Sequence, residues 1–268
     1  MKRRLILCVL ITCLLTRNAL AQQRGAAPQL PQSPRESAQV ELIGNWVPLI
    51  TEDWRWRMVT PPKGNYASVP LNDAGKKLAE SWDLAKDEAA GEQCRPYGAA
   101  GIMRMPVRVR ISWADDNTLK VETDSGQQTR LFNFDKTKQP GGPHTWQGFS
   151  SAEWTRPPAA RGRGGQVPPP PIGALKVVTR NLRAGYLRKN GVPYSENAIV
   201  TEYYDRVSAF GVEYLNITTI VEDPTYLTMP FVTSTNFKKE ADASKWNPGP
   251  CKTDAPIAAK WPLDQGGR

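Results

Sequence analysis

From residue 106 onward, apolar side chains recur at every second position. Val107, Val109, Ile111 and Trp113 alternate with Arg108, Arg110 and Ser112, the period of a strand with one buried face. Asp115, Asp116 and Asn117 supply a turn, Leu119, Val121 and Thr123 continue on a partner strand, and Ser125-Gly126 turns the chain into Thr129–Phe134. Further strands are expected at Trp146–Trp154, Leu175–Arg183, Gly185–Lys189, Ala198–Arg206, Val212–Val221 and Tyr226–Lys238, with Asn190-Gly191 as a tight turn. Helical spacing occurs once, early: Asn72 or Asp73 can cap Ala74 onward, and Leu78, Trp82 and Leu84-Ala85 form a short apolar stripe. Eight or more short strands and one short N-terminal helix predict an all-β fold, a single antiparallel barrel or sandwich.

The ends of the chain follow other rules. Lys2, Arg3 and Arg4 precede the apolar run Leu5–Leu15, and Ala19-Leu20-Ala21 closes the segment. That order is the one of a secretory signal peptide over residues 1–21, too short to span a bilayer. Leu10-Ile11-Thr12-Cys13 offers a lipidation alternative, but Thr12 is a poor residue before a lipidated cysteine. Residues 22–39 are rich in Gln, Pro, Ala and Ser and read as a flexible lead-in. The barrel domain is expected over 40–252, followed by a tail at 253–268. Within it, residues 156–171 are rich in Pro, Gly and Arg and end on four prolines, which cannot pair in a sheet interior. This segment is expected as an exposed loop between strands.

Composition changes the picture in two respects. The formal charge of +9 includes Lys2, Arg3, Arg4 and Arg17, so a mature chain carries about +5. That excess is too mild, in an exported protein, to argue for nucleic acid. Cleavage also removes Cys8 and Cys13, leaving Cys94 and Cys251, most simply a disulfide in an oxidising compartment that clamps the C-terminal tail to an early loop. A periplasmic or secreted location follows, with no transmembrane segment expected.

Catalytic parts are few. His144 is the sole histidine, no Gly-x-Ser-x-Gly elbow is present, and neither a metal site nor a cofactor is expected. Gly162-Arg163-Gly164-Gly165 precedes prolines rather than a helix, which excludes a phosphate loop. A carboxylate enzyme would need Glu202 to meet Glu222 or Asp223, with Tyr204 nearby. Against it stands a structural role for Glu202 as partner of an arginine and for Asp223 as a turn former before Pro224. The densest polar-aromatic segment, 179–194, holds Arg180, Arg183, Tyr186 and Arg188. Arginine grips carboxylate or phosphate with two hydrogen bonds, and tyrosine adds a ring and a hydroxyl. Nine tryptophans, Trp54 and Trp56 on one face of an extended segment among them, fill a core or line a cavity. Arg180, Arg183, Tyr186, Arg188, Glu202, Tyr204, Trp146 and His144 are therefore the candidate ligand-binding residues for a small amphipathic or apolar molecule in a barrel lumen. Binding is favoured over catalysis. Enzymatic acid–base chemistry on an apolar or sugar-like substrate and a non-enzymatic envelope interaction role are the alternatives.

Gly44-Asn45-Trp46 is similar to the Gly-x-Trp that opens the first strand of lipocalins. Together with Cys94-Arg95-Pro96 before Ile102-Met103, Gly148-Phe149-Ser150 running to Trp154, Thr201-Glu202-Tyr203, and Asp223-Pro224-Thr225-Tyr226 running to Pro230-Phe231, it resembles a large group of uncharacterised exported bacterial proteins. The stretch 175–194 is especially like one branch of that group. The resemblance covers residues 44–251 and implies a lipocalin-like barrel and an exported location; it carries no catalytic residues with it.

Overall fold

The period-two segments close into a ring. In a computed structural model, which describes residues 32–155, 161–162, 165–166 and 173–256, the strands in chain order are β1 (Gly44–Leu49), β2 (Val109–Asp115), β3 (Thr118–Thr123), β4 (Thr129–Asn133), β5 (Phe149–Thr155), β6 (Arg161–Gly162), β7 (Gly165–Gln166), β8 (Ala174–Arg180), β9 (Gly185–Arg188), β10 (Val192–Tyr194), β11 (Ile199–Ala209), β12 (Val212–Glu222) and β13 (Phe231–Glu240). Nine of them form a closed barrel in the order β1-β13-β12-β11-β8-β5-β4-β3-β2. β9 with β10, and β6 with β7, are separate two-stranded pairs. The expected signal segment, most of the lead-in, most of the 156–171 loop and the end of the tail lie outside the described residues.

The expectation of a wholly antiparallel barrel is corrected. Strand β4 runs parallel to β5, with Phe132 opposite Ser150 and Asn133 opposite Ser151. The reason is geometric: nine strands cannot alternate in direction around a closed ring, so at least one seam must be parallel. The helical content also differs. α1 (Trp54–Arg57), α2 (Asp73–Glu80) and α3 (Leu84–Ala89) replace one helix. Asn72 caps α2 by accepting from the Gly75 amide at 2.9 Å, as its position predicts. Asp83 then caps a new helix through Ala85 and Lys86, which divides the apolar stripe. Trp54-Arg55-Trp56 is helical rather than extended, entered through Asp53 in the left-handed region (φ 52°).

Cross-strand register places one set of side chains inside the ring. Val109, Ile111, Leu119, Val121, Phe132, Val177, Tyr204 and Ile217 are buried there. Lys120, Glu122, Glu153, Lys176, Asn216, Thr218, Ser234 and Asn236 alternate with them on the outside. This outer face lacks the continuous apolar belt of a membrane-spanning barrel, and no helix among the described residues is long and apolar enough to cross a membrane. Gly44 (φ +141°) admits the chain to β1, and the Trp46 indole two residues on is fully buried, donating to the Leu42 carbonyl at 2.9 Å.

The two ends of the ring are closed differently. At one, Trp154 Nε1 donates to the Pro34 carbonyl at 2.8 Å and the Arg35 amide to the Asp116 carbonyl at 3.2 Å, so ordered contacts begin before Val40. At the other, the 94–107 segment, the β9–β10 hairpin and α2 form a cap with its own core around Leu71, Ala79, Leu187, Tyr194 and Phe231. Cys94 is disulfide-bonded to Cys251 beside this cap, with 5.1 Å between Cα atoms. Tyr97 adds to the clamp by donating its hydroxyl to the Lys252 carbonyl at 2.8 Å.

The bond spans 157 residues, and in the chain-entropy account closing such a loop stabilises the fold by up to about 5 kcal/mol. The paired variant Cys94→Ser/Cys251→Ser is expected to unfold at markedly lower urea concentration, with an unchanged far-ultraviolet circular dichroism spectrum before the transition.

Candidate functional site

The barrel interior holds a charged pair where apolar packing would be expected. Strand β4 turns Arg130 inward beside Phe132, and β11 turns Glu202 and Tyr204 inward, as the alternation of even positions predicts. Arg130 grips Glu202 with both terminal nitrogens, at 2.9 and 2.5 Å, and reaches Thr179 Oγ1 at 3.2 Å. Tyr204 donates to Glu202 at 3.2 Å, and Thr179 shares a hydrogen bond with Ser150 at 2.8 Å. Burial alone would lower the Arg130 pKa, but Glu202 and Tyr204 outweigh it and hold the guanidinium above its ordinary value. Burial, and then the Glu202 carboxylate, push the Tyr204 phenol well up. Neighbouring side chains are essentially inaccessible: Arg130 is 2% exposed, and Glu202, Tyr204 and Phe132 are 0% exposed. A void able to hold a water would expose the groups lining it. The middle of the lumen is therefore filled, and a guest there would have to displace the ion pair.

Space for a ligand opens toward the ends. One cavity, about 400 Å³, lies where Trp113, Leu119 and Trp154 meet residues 35–43. The other, about 300 Å³, is a cleft at the capped end between α2, α3 and the β9–β10 hairpin, in the size range of small-molecule sites. Gly191 (φ +79°) makes the hairpin turn there, and a Cβ on it would lie 2.2 Å from the Trp82 ring. The turn thus seats the hairpin directly on the loop that joins the two helices.

Asp87 is the centre of the cleft's polar wall. Its Oδ1 accepts from Arg95 at 2.9 Å, and its Oδ2 accepts from the Tyr186 hydroxyl at 2.8 Å and the Trp82 indole at 3.1 Å. Arg95 also donates to the Tyr186 oxygen at 2.9 Å and to Glu92 at 3.2 Å. Asp87 retains 13% side-chain exposure and Arg95 35%, so both can be reached from the cleft. Leu78, Pro193, Tyr194 and Tyr226 are among the other lining residues, together with the exposed Asp83 and Lys86. Tyr186 is pushed up to about 12 by burial and by Asp87, against the opposing effect of Arg95.

Of the residues singled out in the sequence, Tyr186 lines this cleft, and Arg183 stands beside it, paired with Glu92 and stacked on Trp146 at 4.6 Å. His144 approaches the Leu182 carbonyl through Nδ1 at 2.9 Å; a carbonyl only accepts, so Nδ1 carries the proton in that contact. Arg180 is exposed at the end of β8. Arg188 lines a different pocket. Glu202 and Tyr204 belong to the sealed lumen. The carboxylates required by the acid–base alternative do not meet: Glu222 is exposed, while Asp223 is buried and accepts from the Ser195 amide at 2.6 Å and hydroxyl at 2.7 Å. Sequence reasoning missed Arg130, though alternation with Phe132 and Phe134 put a charge on an apolar face. It also missed Asp87 and Arg95, which no local pattern distinguishes.

Comparison with family models, with curated proteins and with solved structures gives no match.

Replacing Glu202 by Gln leaves Arg130 buried without a counter-charge and is expected to cost about 3–5 kcal/mol in urea unfolding. The double replacement Arg130→Met/Glu202→Leu is expected to cost much less, because no charge is then stranded. Tyr186 provides a pH signature. Its folded pKa is raised from 10.0 to about 12, so its contribution to stability is intact below pH 10 and is lost as pH rises toward 12. Absorbance titration of phenolate is expected to include a step near pH 12 that disappears in Tyr186→Phe.

Proposed function

We propose that this chain is an exported, lipocalin-like binding protein, related to the family its motifs resemble, that carries a small uncharged amphipathic molecule in the cleft at the capped end of the barrel. The observation that carries the reading is a cleft of about 300 Å³ lined by polar and apolar groups together. Asp87, Arg95 and Tyr186 hold a fixed array of hydrogen bonds there, and Leu78, Pro193 and Tyr226 add apolar surface. Asp83 and Asp87 balance Lys86 and Arg95, so the site favours a neutral guest with hydroxyl groups over an ion. A carrier is supported over an enzyme because Asp87 already accepts three donors and Tyr186 stays protonated, leaving neither as a ready base. The signal-like N-terminus and the disulfide support the exported location.

Native mass spectrometry of protein purified from a bacterial periplasm, followed by titration with an alkyl glycoside, tests this. The wild type is expected to retain an extra mass released on denaturation, or to bind the glycoside. Leu78 is 42% exposed at the cleft, so Leu78→Arg fills the space without disturbing the core and is expected to abolish binding. Leu131→Arg, at an exposed position on β4, is expected to retain it. Equal binding by both variants, or none by the wild type, removes the proposal.

A further inference from the structure

The end of the ring opposite the cap keeps a space of its own. Trp113 on β2 stands across from Leu119 on β3, and Trp154 follows Ala152 on the inner face of β5. Both indoles pack against Phe134, at ring-centroid distances of 5.7 and 5.3 Å, and their own centroids are 6.5 Å apart. The two indoles and Leu119, together with residues of the 35–43 segment, line a cavity of about 400 Å³.

Residues 34–43 cross this end as a bridge fastened at two places. The Pro34 carbonyl accepts from Trp154 Nε1 at 2.8 Å, and the Arg35 amide donates to the Asp116 carbonyl at 3.2 Å. Farther along, Arg206 donates to the Glu41 carbonyl at 2.9 Å, and Val40, Leu42 and Ile43 pack on the barrel core. Between the fastenings Ala38 lines the cavity with a methyl group, the smallest side chain of the segment. The chain thus spans the space without filling it.

The lining sets the class of guest. Indole rings offer flat apolar surface that other aromatic rings pack against. The Trp154 N–H is spent on Pro34, whereas the Trp113 N–H has no acceptor among the described residues and stays accessible. Both charges at the cavity already have partners: Arg35 lies 3.6 Å from Asp116, and the Glu41 carboxylate accepts from the Ile43 amide at 2.7 Å. An ion would therefore meet no unanswered charge there, and the volume is in the range of small-molecule sites. We propose that this cavity binds a neutral, planar two-ring aromatic molecule that carries a hydrogen-bond acceptor, its rings in contact with Trp113 and Trp154 and its acceptor taking the Trp113 N–H. The site shares no lining residue with the cleft and does not rest on the reading of the cleft.

The test uses the whole mature protein and naphthol, whose hydroxyl oxygen is the acceptor. Calorimetric titration is expected to show saturable binding at neutral pH. Trp113→Leu removes one aromatic anchor and is expected to weaken binding by about tenfold or more. Ala38→Trp, at an exposed position, occupies the cavity and is expected to block naphthol while leaving the binding of alkyl glycoside in the cleft unchanged. Leu78→Arg, which fills the cleft, is expected to retain naphthol. Crystals of the wild type soaked in bromonaphthol are expected to show an anomalous bromine peak beside Trp113 and Trp154, a readout that needs no variant to fold. No saturable binding by the wild type, binding undiminished in both Ala38→Trp and Trp113→Leu, binding lost in Leu78→Arg, or bromine density only elsewhere overturns the proposal. Loss of glycoside binding alone would remove the reading of the cleft and leave this site standing.

Discussion

A ring of nine strands imposes a parity constraint on everything attached to it. Alternation fails once, and the failure falls between β4 and β5. A parallel neighbour cannot be reached by a tight turn, because the chain must return to the end from which the previous strand set out. Residues 134–148 make that return and arrive at the capped end. There Gln147 donates to the Tyr97 carbonyl at 2.8 Å and to Gln128 at 2.9 Å, and the Trp146 carbonyl accepts from the Ala99 amide at 2.8 Å. The crossover thus braces the 94–107 segment, and that segment carries Arg95 into the cleft. A rule about strand direction ends by positioning a guanidinium.

The filled lumen and the open cleft are two sides of one allocation of polar groups. In the middle of the barrel, Arg130 pairs with Glu202 through both terminal nitrogens at full burial, Tyr204 and Thr179 take up further hydrogen-bonding capacity, and Arg130 Nε is left without a partner. Such a pair contributes little net stability but strongly resists separation, so it fixes which strands face one another across the interior. In the cleft the same residue types remain partly exposed, and their hydrogen bonds form a rigid surface rather than a closed interior. Rigidity of that kind lowers the ordering cost of binding.

Much of the ring was legible in the sequence because its cause is local. Val107 to Trp113 and Leu119 to Thr123 alternate cleanly, and β2 and β3 follow. Glu202 and Tyr204 were legible as sharing a face, and Cys94 with Cys251 as a clamp. The parallel seam was not, since strand direction depends on closure of the whole ring and leaves no mark on β4 or β5 themselves. Trp54 and Trp56 misled because two aromatics at spacing two mimic a strand, whereas the left-handed Asp53 starts a helical turn. Asp87 and Arg95 were silent for another reason: they meet Tyr186 only through folding, across about ninety residues of chain.

The link from Cys94 to Cys251 also determines how the molecule would carry a mechanical load. Tension applied through the two chain ends would pass across the sulfur bridge and bypass the residues it encloses. Eight of the nine barrel strands lie inside that covalent circuit; β1, at Gly44–Leu49, lies outside it. Pulled from its ends, the chain would surrender β1 and the early helices first and leave the other strands slack. The barrel is thus built as a nearly complete shielded unit with a single detachable stave.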